Sequence, residues 1–168
     1  MIILGIDPGL ADTGWGLVSV DGSTLRCRGY GCISSKATEE LPLRLKRIHD
    51  ELSLLVKLYS PAEAAIEKLF HGVNARSAMA TGQARGVCIL STADAGLPVS
   101  EYSPAEIKQA VVGHGSADKA QVQFMVRAVL SLPEIPKPDH AADALAVAIC
   151  HANSRARNAA VARAGVRS

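Results

Sequence analysis

Cysteine is scarce in this sequence, and what there is has no obvious chemical employment. Cys27, Cys32, Cys88 and Cys150 form no C-x-x-C pair and have no histidine spacing that would build a tetrahedral zinc site. They read as reduced core thiols. Disulfides are not needed, because a chain of 168 residues can bury roughly two thirds or more of the surface its unfolded form exposes. No stretch approaches the ~20 apolar residues of a membrane span, and no basic segment leading into an apolar run opens the chain. A soluble, cytoplasmic protein is expected. No internal repeat and no second hydrophobic core are visible, and no serine or cysteine is tied to a histidine and an acid, so a side-chain nucleophile is not expected.

A strong net charge is missing too. Eighteen Lys and Arg against sixteen Asp and Glu leave +2, which says little about partners until its placement is read. Four arginines, Arg155, Arg157, Arg163 and Arg167, lie between Ser154 and Ser168 with no acid among small residues. This segment, 154–168, reads as a flexible basic tail on a folded domain of residues 1–153. The body keeps 14 basic against 16 acidic side chains. For such a body to act on nucleic acid, its carboxylates would have to be neutralised, for example by metal.

Ile2-Ile3-Leu4-Gly5-Ile6 is an apolar run that stops at Asp7 and the breaker Pro8-Gly9, which predicts a buried strand with a carboxylate at its tip. Strands near 14–20 and 25–34, with the hairpin signal Asp21-Gly22 between them, complete an antiparallel meander. Leu45, Ile48, Leu52, Leu55 and Val56 recur at helical spacing within 42–59. A short strand over 62–67 then ends at Glu67. Further on, a helix over 75–93, a strand over 99–102, a helix opened by Ser103-Pro104-Ala105-Glu106, a helix opened by Ser116 and a final helix over 140–153 are expected. A meander followed by alternating strand and helix predicts an α/β fold, one mixed five-stranded sheet with helices on both faces, in the order of ribonuclease H-like proteins.

Asp7 and Glu67 end strands, and groups just beyond strand ends of an open α/β sheet converge in one crevice. His140 and Asp143 are three apart, on one face of the last helix, with only Ala141 and Ala142 between them. Three carboxylates beside an imidazole form an unfavourable cluster when empty, because like charges a few ångströms apart raise each other's pKa; a divalent cation reverses that, and oxygen-rich donors suit Mg²⁺ or Mn²⁺. Plainer roles stand beside these. Asp7 could cap a turn, Glu67 could be a solvated loop acid, Asp139 sits where helix N-caps are found, and Lys108 and Lys119 could be exposed helix residues.

Several blocks follow one another in order: Ile6-Asp7-Pro8-Gly9 with Thr13-Gly14-Trp15-Gly16, Ala65-Ile66-Glu67, Gly82-Gln83-Ala84-Arg85-Gly86-Val87, Lys108-Gln109, Val111-Val112-Gly113, Lys119 and His140-Ala141-Ala142-Asp143. In these the sequence, from Met1 to about Ala152, resembles the bacterial RuvC Holliday-junction resolvases. The resemblance implies a ribonuclease H-like fold, a homodimer, and a two-metal site using Mg²⁺, with Mn²⁺ able to substitute. It casts Asp7, Glu67, His140 and Asp143 as catalytic metal ligands. Phe70 is implied to stack on bases near the crossover, and Lys108 and Lys119 to contact phosphates. Some members carry Asp where this chain has His140, so Asp139 next door stays open as a substitute. The implied activity is paired, symmetric nicking of four-way DNA junctions in recombination and repair, alongside the RuvA–RuvB branch-migration complex. The strip Ala78, Gly82 and Gly86 on the helix over 75–93 would pack either on the chain's own sheet or on a partner subunit, and the resemblance favours the partner.

Rivals remain. An actin-like or sugar-kinase-like phosphotransferase also begins with Asp-x-Gly after a first strand, but it needs a second domain and phosphate loop that 168 residues cannot hold. A related nuclease acting on another nucleic acid is a second rival. A junction-binding module without catalysis is a third, disfavoured by the intact acid set.

Overall fold

In the computed structural model of the chain, the described residues are 1–68 and 75–165. The strands are β1 (Ile2–Asp7), β2 (Asp12–Asp21), β3 (Thr24–Ser34), β4 (Glu63–Glu67) and β5 (Val99–Tyr102). The helices are α1 (Leu41–Tyr59), α2 (Ala75–Asp94), α3 (Pro104–Val112), α4 (Lys119–Val129) and α5 (Asp139–Gly165). The sheet order is β3-β2-β1-β4-β5, with β1 to β3 antiparallel and β4 and β5 added in parallel beside β1. This is the expected mixed five-stranded sheet. The β2–β3 turn is two residues long, Gly22-Ser23, and Gly22 takes the left-handed φ of 56° that such hairpins require.

Alternation along the strands divides the core. Leu4, Ile6, Leu17, Ala64 and Ile66 pack beneath α1 and α2, while Ile3, Val18 and Ala65 pack beneath α3, α4 and α5. Helices therefore cover both faces, and Asp7 and Glu67, in phase with Ile3 and Ala65, turn toward α5.

Helix α5 lies on the sheet almost backbone to backbone. A Cβ on Gly5 would stand 2.1 Å from the Ala144 carbonyl oxygen, one on Gly14 would stand 1.9 Å from that of His140, and one on Gly16 would press on Leu145 at 2.8 Å. Ala141, Ala142, Ala144 and Ala148 complete the seam and are fully buried. Small residues on both sides give α5 its seat, which explains why an alanine-rich segment is the central helix. Farther along, His151 is only 4% exposed and uses both ring nitrogens. Its Nε2 lies 2.6 Å from Glu63 Oε2 and its Nδ1 lies 2.8 Å from the Tyr102 hydroxyl. Arg155 Nε joins Glu63 at 2.9 Å.

Three boundaries differ from expectation. Asp118, not Ser116, caps α4, in a reciprocal capping box with Gln121. Asp139, expected as a cap, is the first residue of α5. The last helix does not stop at Asn153 but runs to Gly165, because alanine and arginine are strong helix formers. Ser103 and Glu106 form the expected capping box at α3.

Gly14→Ala should therefore lower the melting temperature by several degrees, since overpacking costs about 1–3 kcal/mol and each kcal/mol moves Tm by about 2–4 °C at this size. Gly86→Ala, where a Cβ meets nothing within 4 Å, should hold or raise it by helix propensity. Thermal unfolding of the two variants checks this, and the reverse ranking would unseat α5 from β2.

Candidate metal centre

Strand pairing builds the site. Asp7 at the end of β1 lies opposite Gly14 on β2, and Ile6 lies beside Ile66 on parallel β4, so Glu67 follows at the same edge. Because Gly14 has no side chain, the first turn of α5 comes down directly over Asp7. His140 Nδ1 reaches Asp7 Oδ2 at 2.7 Å. One donor atom each from Asp7, His140 and Asp143 lies within 4.8 Å of the others, a group that could hold a metal ion.

The electrostatics of the group are those of repelling acids in a partly dry place. Burial pushes the Glu67 carboxyl up to about 8, helped by the charges of Asp7 and Asp143 and by a hydrogen bond with Asp7, while Lys108 opposes the shift. Asp143 is raised by burial and by Asp7, with Lys119 pulling the other way. His140 is raised chiefly by its hydrogen bond to Asp7, against its own burial. Opposed acids and an imidazole held at that distance are a donor set short of positive charge.

A cleft of about 190 Å³ opens between β4, α3, α4 and α5, lined by Glu67, Asp143, Lys108 and Lys119 among apolar side chains. Both lysines are thus at the acids. Lys119 Nζ stands 3.2 Å from Asp143 Oδ2 and 3.2 Å from Asp139 Oδ2. Asp139 does not join the Asp7, His140 and Asp143 group. It faces α4, accepting from Gln123 Nε2 at 3.0 Å as well as from Lys119. Phe70 lies outside the described residues. Sequence reasoning missed the bracket of Asp139 by Gln123 and the glycine floor under His140. The glycines could have been found by noting that Gly5, Gly14 and Gly16 leave two strands without side chains at alternate positions.

The matching family model, described as "Crossover junction endodeoxyribonuclease RuvC", covers residues 3–151. The crossover junction endodeoxyribonuclease RuvC of Desulforamulus reducens is 52% identical over 152 residues, spanning 90% of this chain and 93% of that protein. That of Chloroflexus aggregans is 50% identical over 152 residues, spanning 90% of this chain and 93% of that protein. Among solved structures, Thermus thermophilus RuvC superposes with a TM-score of 0.88 at 35% identity, covering 94% of this chain and 97% of the other. The same protein in complex with a Holliday junction substrate gives 0.88 at 36% identity, covering 92% and 94%. With half its residues shared with such relatives over nine tenths of its length, and the acids on the strand ends that this sheet brings together, the chain belongs to the RuvC family of crossover junction endodeoxyribonucleases.

Proposed function

We propose that this protein resolves four-way DNA junctions, hydrolysing one phosphodiester in each of two opposed strands as a homodimer, with Asp7, Glu67, His140 and Asp143 holding two divalent cations per site. The observation that carries the reading is the convergence of Asp7, His140 and Asp143 within 4.8 Å beside a Glu67 that burial and its neighbours push to about 8. These donors fit hard divalent ions such as Mg²⁺, with Mn²⁺ as a substitute. When bound, the ions supply activation of water and stabilisation of the leaving 3′ oxygen. Asp7 is central to the protein's part, since it touches His140 and raises Glu67. Lys108 and Lys119, on the cleft wall, hold the scissile strand by its phosphates, and Phe70 stacks on bases at the crossover. The nuclease domain is 1–153, extended by the basic segment 154–168. The protein acts in the cytoplasm with the RuvA–RuvB complex. No described helix is long and apolar enough to cross a membrane.

The dimer rests on a separate surface. Gly86 is exposed with open space around it, so it does not pack on the chain's own sheet. Met79 and Leu90, 68% and 53% exposed, lie on the same face of α2 by their spacing from Gly86. Leu54 and Leu58, on the helix α1 that packs against α2, are also exposed, at 63% and 69%. Four large apolar side chains on one helix pair favour an isologous contact with a second copy.

Three outcomes follow. Asp7→Asn, Glu67→Gln and Asp143→Asn should each slow cleavage of a synthetic four-way junction by more than the roughly 10- to 100-fold typical of losing a group that only supports a ligand. Junction binding should persist, because phosphate contacts and stacking carry it. Linear duplex and an RNA–DNA hybrid are the comparison substrates, and near-normal cutting by any of the three variants would end the metal reading.

Glu67, with its carboxyl raised from the usual 4.5 to about 8, binds a proton more tightly folded than unfolded. Ion-free stability should therefore decline as pH climbs from about 4.5 to about 8. Asp143 and His140, both raised, act in the same sense: stability from a raised group is present at low pH and lost as pH rises through its folded value. MgCl₂ at ~100 times its Kd should restore about 2.7 kcal/mol, or roughly 5–10 °C, with a larger gain at pH 8.5 than at pH 5.5. Calorimetric scans with and without Mg²⁺ read this, and Glu67→Gln should flatten most of the dependence.

Gly86→Arg should leave the monomer folded and make it sediment as a monomer, with paired cutting lost. A dimer that survives the change clears α2 of the interface.

A further inference from the structure

We propose that Asp139 is a positioning residue: it holds Lys119 at the lip of the cleft, so that Lys119 can release Asp143 when a divalent cation binds there. The inference rests on the metal reading of the site but concerns a carboxylate outside the donor group.

The geometry is a bracket between two helices. The capping box of Asp118 and Gln121 fixes the backbone of Lys119, the first residue of α4. From that fixed point the ammonium stands 3.2 Å from Asp143 Oδ2 and 3.2 Å from Asp139 Oδ2. The two carboxylates differ in surroundings, for Asp143 is 27% exposed and Asp139 61%. Asp143 is one of the three converging donors and Asp139 is not. Asp139 is itself held, since its other oxygen accepts from Gln123 Nε2 at 3.0 Å. Lys119 and Gln123 are one turn apart on α4, so both face the start of α5.

A carboxylate oxygen cannot fully serve an ammonium and a dication together, because two cations a few ångströms apart repel. In the ion-free protein Lys119 partly offsets the charge on Asp143. With no second anchor it would compete with the incoming ion. With Asp139 at the same distance, the ammonium shifts its hydrogen bonds from one partner to the other without travelling. It remains on the cleft wall beside Lys108, where an anionic phosphate would meet it. The distinction between Asp139 and His140 then follows from direction. The imidazole points to Asp7 and its neighbour's carboxylate points to α4.

The test is a double-mutant cycle on Lys119→Met and Asp139→Asn, read as the Kd for Mn²⁺ by calorimetry on the DNA-free protein, with thermal unfolding to verify that each variant folds. Asp139→Asn should weaken Mn²⁺ binding by about threefold or more, because Lys119 is then left wholly on Asp143. Lys119→Met should tighten it. In the Lys119→Met background, Asp139→Asn should change the Kd by less than about twofold, the range within which independent effects simply add. Equal weakening in both backgrounds would make Asp139 merely a nearby negative charge and overturn its role. No weakening in the parent protein would overturn it as well. If the unsubstituted protein binds no Mn²⁺, the metal reading falls and the role of Asp139 with it. Binding with an additive cycle removes only the latter.

Discussion

The contact between α5 and the sheet is the constraint on which the site depends. A helix normally stands off a sheet by the depth of its side chains, but here the strand positions beneath it are Gly5, Gly14 and Gly16, and its own contact face is mostly alanine, with Leu145 over Gly16. The helix therefore descends until carbonyl and strand backbone nearly touch. His140 and Asp143 sit at the lowered end. The side chain missing from Gly14 lets the start of α5 come down far enough for His140 to hydrogen-bond Asp7 at 2.7 Å. The dense, unstrained interior usual for proteins leaves no slack to restore the geometry if a methyl is added.

That close approach carries an electrostatic burden. Glu67 and Asp143 are raised mainly because they are buried, and only then because they face other acids. The ion-free site works against folding and has to be held by the rest of the molecule. Two polar clamps on α5 help. At the near end, Lys119 and Gln123 take hold of Asp139, and Lys119 of Asp143. At the far end, buried His151 spans from Glu63 to Tyr102, with Arg155 also on Glu63. Since β4 carries both Glu63 and Glu67, the far clamp fixes the same strand that supplies a proposed ligand.

Much of this was legible in the sequence because it was written in local signals. The strand Ile2 to Asp7 broken by Pro8-Gly9, the capping residues Ser103 and Glu106, and the placing of His140 and Asp143 on one helix face each rest on a local pattern, and the structure follows them. The errors came where two local signals competed. Ser116 and Asp118 can both cap, and only the placement of Gln121 three residues after Asp118 decides between them. Asp139 looks like a cap from its neighbours and becomes a partner of α4 only when α4 is brought across it. Residues 154–165 look like a tail because they offer no core-forming side chains, but small residues and arginines need only propensity to stay helical. Gly14 beneath His140 could not be seen from spacing, since 126 positions separate them and only the strand register joins them.

The glycine and alanine seam also divides the molecule by how freely it can change. Residues 5, 14, 16, 141, 142, 144 and 148 admit almost no side chain larger than the one they have, so the spacing of the acids is effectively closed to adjustment by substitution. The cleft wall across from them is different. Lys108 and Lys119 reach the acids from α3 and α4, each held by a capping box of its own, and their side chains end at an open rim. Substitutions at that rim meet open space instead of the glycine and alanine seam. The fold thus separates a seam closed to substitution from a rim whose shape can be revised.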